Sequence, residues 1–276
     1  MLKRLFRNVF CCVICAILVS GIFCFICLKG NDKTETVAKT GYGSMLRSSY
    51  NQKKDSAYLQ DITVLKKENS IKKHYRDKKC LNIYNKNKEC LMLVNRDNPL
   101  PEDYSYSLKY ICNGRLQASS YLYDSLVKML DDAKIQGYSY WIASAYRSYE
   151  KQQRLVEEDV NILVGKGMSY INALEEVYKE TMPAGCSEHQ TGLALDILCS
   201  GNTNMDVSQM DEPGNKWLRE NCYKYGFILR YPEDKSAVTG VNFEPWHFRY
   251  VGKEAAKYIT KNNITLEEFY KKLGNI

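Results

Sequence analysis

Only three histidines occur in the 276 residues, and two of them sit in short stretches that also carry carboxylates. His189 precedes Asp196 by seven residues within MPAGCSEHQTGLALD (182–196), and Glu244 precedes His247 by three within EPWH. Two imidazoles and a carboxylate form a ligand set for a zinc ion that keeps its fourth position for water, and a further carboxylate beside that water is a general base. His189, Asp196 and His247 are therefore the candidate ligands and Glu244 the candidate base. The third histidine, His74, lies among lysines and suits neither role. Taken singly, a histidine and an aspartate are ordinary surface or packing residues; Glu244 is what turns the set toward catalysis.

The two stretches have to meet in space. The interval from His189 to Asp196 is too long for adjacent helical turns, but fits a loop turned at Thr191 and Gly192 and then a strand, Leu193 to Leu198, that returns Asp196 to the ion. On a regular strand Glu244 and His247 would face opposite ways. Pro245, which lacks the N–H of a regular ladder, is expected to kink the chain and bring both to one place. Trp246 between them either walls the pocket or is a core aromatic. Arg147, in SAYRSYEKQ between a strand end and a helix start, can grip a substrate carboxylate with two bonds or stabilise an oxyanion. Ser187 can donate to the same carboxylate or cap the turn.

The elements that would carry these residues follow from periodicity and breakers. CLNIY and CLMLV around NKNKE read as a hairpin, with Cys80 and Cys90 placed to close it. Leu122, Leu126, Met129, Leu130 and Ala133 make an amphipathic helix from about Gln117 to Gln136, closed by Gly137. Tyr138 to Ala145 is a strand, and helices run over about Ser148 to Val164 and Tyr170 to Lys179. Trp217 to Tyr225 is helical and Gly226 ends it. Phe227 to Arg230 and Phe243 to Tyr250 are extended, with YPEDKSAVTG a loop between them. A helix over about Lys253 to Thr260 and another over Leu266 to Leu273 complete the chain, and Thr265 with Glu268 forms a reciprocal cap. No internal repeat is visible. From Cys80 onward this is one α+β domain, a small antiparallel sheet flanked by helices.

The N-terminal part is of another kind. Lys3, Arg4 and Arg7 in residues 1–8 precede twenty uncharged residues, 9–28, long enough to span a bilayer as a helix. The basic flank keeps the N-terminus in the cytoplasm, which makes the chain a single-pass membrane protein with an extracellular C-terminal domain. A cleaved secretory signal is the other reading, and it also exports the domain. Residues 29–79 form a polar, basic stalk. From Asn31 to Lys79 the net charge is +6, whereas Cys80 to Ile276 carries −3, so the formal +7 belongs to the stalk and membrane flank. Such a stalk suits anionic lipid or an anionic wall polymer; nucleic acid is not implied for an exported chain. Outside the apolar segment, Cys80, Cys90, Cys112, Cys186, Cys199 and Cys222 permit three disulfides in an oxidising exterior, or remain thiols in a reducing one.

The separated motifs LVNRDNPLP, SAYRSYEKQ, MPAGCSEHQTGLALD, KYGFILRYPEDKSAVTG and FEPWHFRYVG, in this order from about Cys90 to Leu273, resemble the VanY-type D-alanyl-D-alanine carboxypeptidases. These are membrane-anchored zinc peptidases of a wider group that includes VanX-type dipeptidases and hedgehog-like domains, and they are tied to vancomycin resistance. The resemblance implies one zinc ion on His189, Asp196 and His247, with Glu244 as base and Arg147 on the substrate and its polarised carbonyl. It also implies that Ser187 and Gln152 line the substrate site. Ala145 and Ala184 replace a glycine and a proline common in the family, and neither change removes a chemical group. The implied activity is hydrolysis of the terminal D-Ala-D-Ala bond of peptidoglycan stem pentapeptides, with release of D-alanine. Two other readings stay open: a zinc endopeptidase cutting an internal bond such as L-Ala-D-Glu, and a non-catalytic wall-binding module, which would have no need of Glu244.

Overall fold

The computed structural model describes residues 77–274. The apolar segment 9–28, most of the basic stalk and His74 lie outside the described residues; among those described, no helix is long and apolar enough to cross a membrane. The first element is a helix where a hairpin strand was expected. Helix α1, Lys78–Lys86, starts at Asp77, whose carboxylate accepts from the N–H groups of Lys79 and Cys80 and so satisfies two donors of the first turn. Its buried residues, Cys80 and Ile83, are three apart, the spacing of a helix face. A helical turn over Lys88–Leu91 follows. Asp77 also accepts a 2.6 Å bond from the Tyr258 hydroxyl, so residues assigned above to the stalk are tied into the C-terminal helices.

The hairpin of the domain lies further along. Strand β1, Leu108–Ile111, pairs antiparallel with β2, Leu116–Ser119, and the turn between them places Cys112, Asn113 and Gly114 at positive φ. Glycine enters positive φ without steric cost and asparagine more readily than most residues, which suits both to this turn. Gln117 to Ser119 therefore belong to a strand, and the amphipathic helix α2 runs only from Tyr123 to Ile135. Helices α3, Tyr149–Gly165, and α4, Tyr170–Val177, form a pair of their own around Val156, Val160, Ala173 and Val177; Ser148 and Ser169 cap their N-termini.

Strands β3 (Tyr140–Ser144), β4 (Ala194–Cys199), β5 (Phe227–Leu229) and β6 (His247–Tyr250) make an antiparallel sheet in the order β3-β4-β6-β5. Its side chains alternate between two faces. Ile142, Leu195, Ile197, Phe227 and Phe248 enter the main core beneath α2, together with Leu218 of helix α5, Pro213–Asn221. Asp196, His247 and Arg249 take the other face. Helices α6, Lys253–Lys261, and α7, Leu266–Leu273, pack with α1 around Ala255, Ile259, Phe269 and Leu273. The expected cap of α7 is present: Thr265 Oγ1 accepts from the Glu268 N–H while Glu268 accepts from the Thr265 N–H.

All six cysteines of the described residues are free thiols. The three disulfides that an oxidising exterior would allow are not made. Cys80 lies in the cluster of C-terminal helices and Cys222 in the main core, while Cys90 sits on a helical turn rather than across a hairpin from Cys80.

Candidate metal centre

Strand register assembles the site. On β4 and β6, Asp196 is directly opposite His247, so both side chains rise from the same face; on β3, Ser144 is the partner of Asp196 on its other side. His189 comes from the loop before β4, in a 3-10 turn over Glu188–Thr191 that Gly192 ends at φ +74. That glycine is required twice over, since a Cβ there would lie 2.9 Å from both the Ser119 backbone nitrogen and a Leu108 methyl. The loop-then-strand expectation for the seven-residue interval therefore holds.

His189, Asp196 and His247 are buried, and one ligand atom from each lies within 4.8 Å of the others. His189 Nδ1 donates to the Ala145 carbonyl at 2.7 Å, which turns Nε2 inward. Nε2 is 3.3 Å from Asp196 Oδ2, and His247 Nδ1 is 3.6 Å from Asp196 Oδ1. Ligand bonds of ~2.0–2.1 Å at the tetrahedral angle put neighbouring donors about 3.3–3.4 Å apart, and ligand atoms within 4.8 Å of one another are close enough for a small contraction to seat one ion. His189 Nε2 and Asp196 Oδ1 are moreover buried without a hydrogen-bond partner, as ligand atoms facing a cation would be.

Glu244 and His247 converge by a different route from the one expected. The His247 N–H donates to the Glu244 carbonyl at 3.2 Å, so residues 244–247 are a turn and β6 begins only at His247. Pro245 serves as a turn residue and does not kink a strand. The turn leaves Glu244 Oε2 3.2 Å from His247 Nδ1. Trp246 is 8% exposed, and its carbonyl accepts from the Ile197 N–H of β4.

Arg147 reaches the same cluster. Its guanidinium donates to Ser144 Oγ at 2.8 Å, Gln152 Oε1 at 3.0 Å and Asp196 Oδ2 at 2.8 Å. Gln152 is fully buried and spends its amide on the Met182 carbonyl at 2.7 Å, so here both of its ends hold protein groups. Ser187 is buried at the start of the 3-10 turn, and its side chain does not cap that turn.

These neighbours tune the charges. Burial alone would raise the Asp196 carboxyl, but His189 and Arg147 hold it well below the usual range. Burial and the Arg147 charge bring His189 down to about 4, which keeps it neutral. Burial also disfavours a charged His247, yet Glu188 and Glu244 lift it to about 9; a metal must displace that proton. Glu244 is raised, chiefly by burial, with His247 partly opposing the shift. A carboxyl raised in this direction is a stronger base than an ordinary one, which suits a group that accepts and returns a proton.

Beneath the ligands lies a group that reading the sequence missed. Glu188 is 1% exposed and ion-paired to Arg230 at 2.7 Å and Arg249 at 2.8 Å, and Arg230 is also paired to Glu267 at 2.6 Å. The signal was present: Arg230 and Arg249 stand in the apolar runs FILRY and HFRYV, and an arginine buried in a sheet requires a carboxylate.

Comparison with known proteins points the same way. Residues 115–253 match the model of the VanY family, described as D-alanyl-D-alanine carboxypeptidase. A D-alanyl-D-alanine carboxypeptidase of Enterococcus faecalis (strain ATCC 700802 / V583) is 42% identical over 182 residues, which are 65% of this chain and 65% of that protein. The chain thus spans a little less than two thirds of that relative. Among solved structures, the Zn(II) complex of an E175A mutant of the D,D-pentapeptidase VanY from a VanB-type resistance cassette is similar at TM-score 0.60 and 39% identity. That match covers 66% of this chain and 99% of that one. The LD-carboxypeptidase LdcB is similar at TM-score 0.57 and 35% identity, covering 68% of this chain and 89% of its own. The family match takes in β2 through β6 and every candidate ligand, and the solved zinc peptidase is matched along nearly its whole length; this chain belongs to the VanY family of D-alanyl-D-alanine carboxypeptidases.

Proposed function

We propose that this chain is a zinc D,D-carboxypeptidase that removes the terminal D-alanine from peptidoglycan stem peptides ending in D-Ala-D-Ala. The observation that carries the reading is the buried His189–Asp196–His247 cluster with Glu244 Oε2 3.2 Å from His247 Nδ1, ligands and base in one place. A structure of VanYB, similar at TM-score 0.60 and 40% identity, is in complex with D-alanine-D-alanine, which supports the substrate class. A zinc ion on the three ligands would supply Lewis acidity and lower the pKa of a water at its open position. Glu244 takes a proton from the attacking water and returns it to the leaving amine. Arg147, held by Ser144 and Gln152, presents its guanidinium to the carbonyl oxygen as negative charge develops there. The uncapped Ser187 hydroxyl is the donor for the terminal carboxylate.

Release of D-alanine from a defined pentapeptide, with and without chelator, tests this reading. Metal-independent release, or none, refutes it. The likeness to LdcB favours one second reading, in which the bond cut joins an L-configured centre to the last D-residue. A tetrapeptide cleaved in preference to the pentapeptide would select it. For localisation, the twenty uncharged residues 9–28 after Lys3, Arg4 and Arg7 support an anchored chain with its catalytic domain outside the cell, beside its wall substrate.

A further inference from the structure

The ligand His247 has two ring nitrogens, and a neutral imidazole carries a proton on only one of them. Its Nδ1 faces Asp196 and Glu244, whereas its Nε2 points the other way, to Glu188 Oε2 at 3.6 Å. That separation is just beyond hydrogen-bond length. Both atoms are nevertheless fully buried, and neither has any other hydrogen-bond partner. Two orphaned atoms, one able to donate and one able to accept, are each other's only recourse in a buried site.

The rest of Glu188 is arranged to keep Oε2 where it is. Its Oε1 accepts from Arg230 Nε at 2.7 Å and is ion-paired to Arg249 Nη1 at 2.8 Å. Arg230 is braced by Glu267 through bonds of 3.0 and 2.6 Å, and Arg249 donates to the Cys90 and Met92 carbonyls at 3.0 and 2.8 Å. If Glu188 served only to neutralise the two arginines, nothing would direct its second oxygen at an imidazole.

We infer that Glu188 is a positioning residue for the metal centre: its carboxylate holds the His247 proton on Nε2, which orients the ring and leaves the Nδ1 lone pair for the ion. This rests on the zinc-peptidase reading above and extends it to a residue outside the ligand set. The two histidines are then oriented by different acceptors, His189 by the Ala145 carbonyl and His247 by a full negative charge. A carboxylate on the far nitrogen makes an imidazole the stronger ligand.

The test is the zinc dissociation constant, measured by competition with a chromophoric chelator, for the unaltered protein, Glu188→Gln and Glu267→Gln. Glu267 pairs with the same Arg230 and makes no contact with His247, so its variant loosens the ionic network without touching the ligand. Glu188→Gln is expected to lose about 10–100-fold in zinc affinity, while Glu267→Gln stays within about threefold of the parent. Equal affinities for the two variants would overturn the assignment. Should Glu188→Gln fail to fold, nitrogen-15 NMR of the unaltered zinc-loaded protein decides. A slowly exchanging, hydrogen-bonded His247 Nε2–H supports the assignment, and one that exchanges as freely as in a solvated imidazole overturns it. An unaltered protein that binds zinc and releases D-alanine, with Glu188→Gln unchanged, sinks the role of Glu188 alone; an unaltered protein that binds no zinc sinks the functional reading with it.

Discussion

Replacing Glu244 by glutamine puts the proposed chemistry to its most direct trial. The amide is the same size as the carboxyl, and two backbone bonds hold its main chain, Glu244 N–H to the Tyr231 carbonyl and His247 N–H to the Glu244 carbonyl, each 3.2 Å. The variant therefore keeps its shape and loses only the capacity to take a proton. A positioned general base contributes about 10²–10⁴ in rate. At about 1.36 kcal/mol per tenfold, that is roughly 2.7–5.4 kcal/mol of lost transition-state stabilisation. The loss should appear in kcat, with KM for a pentapeptide little altered, because Glu244 is not assigned a contact to bound substrate. Stability should not fall. Burial raises the Glu244 pKa, so the charged form is disfavoured in the fold at neutral pH, and a neutral amide removes that penalty. The assay is steady-state D-alanine release, with bound zinc measured in parallel. A zinc-loaded Glu244→Gln protein with kcat within about tenfold of the parent would refute the assignment of Glu244 as base.

Four further outcomes are expected. Arg147→Lys cannot reproduce the fork that reaches Ser144, Gln152 and Asp196 together, so kcat/KM for the pentapeptide should fall by about 10²–10³ while zinc is retained. Phe248, fully buried in the main core, should cost about 3–5 kcal/mol in urea unfolding when cut to alanine. Burial would raise the Glu267 carboxyl, but Arg230 lowers it below 4.5; the stability it contributes is fully present above that value and is lost as pH falls through the depressed folded-state pKa. Thermal midpoints measured down to about pH 3 should accordingly fall less steeply in Glu267→Gln than in the parent. Thr265→Ala removes one half of the reciprocal cap on α7 and should cost about 1 kcal/mol by the same urea assay.

Where local spacing carries the information, reading the sequence succeeded. Helices α3 and α7 show side-chain caps, all three of α3, α6 and α7 show apolar stripes within a few turns, and Gly192 and Gly226 punctuate the chain where the structure needs positive φ. It failed where two local signals competed. The first apolar runs lie around a polar turn that suggests a hairpin, but Asp77 caps a helix and the packing of Cys80 and Ile83 against the C-terminal helices settles the matter. The hairpin at Asn113-Gly114 stays hidden because the amphipathic pattern of α2, extended back to Gln117, claims most of β2, the second strand of that hairpin.

Residue type and spacing by themselves determined the chemistry of this chain. With two histidines near carboxylates, and a third histidine among lysines, His189, Asp196, His247 and Glu244 could be named from the linear order alone, because ligand and base chemistry belongs to side-chain identity. Which nitrogen of each histidine faces the ion was decided only in three dimensions. It depends on partners far away in sequence: the Ala145 carbonyl behind His189, and Glu188 behind His247, itself held by Arg230 and Arg249. Strand register across β4 and β6 sets Asp196 opposite His247, register follows from which face of the whole sheet is buried, and the turn before β4 brings Glu188 and His189 to that face.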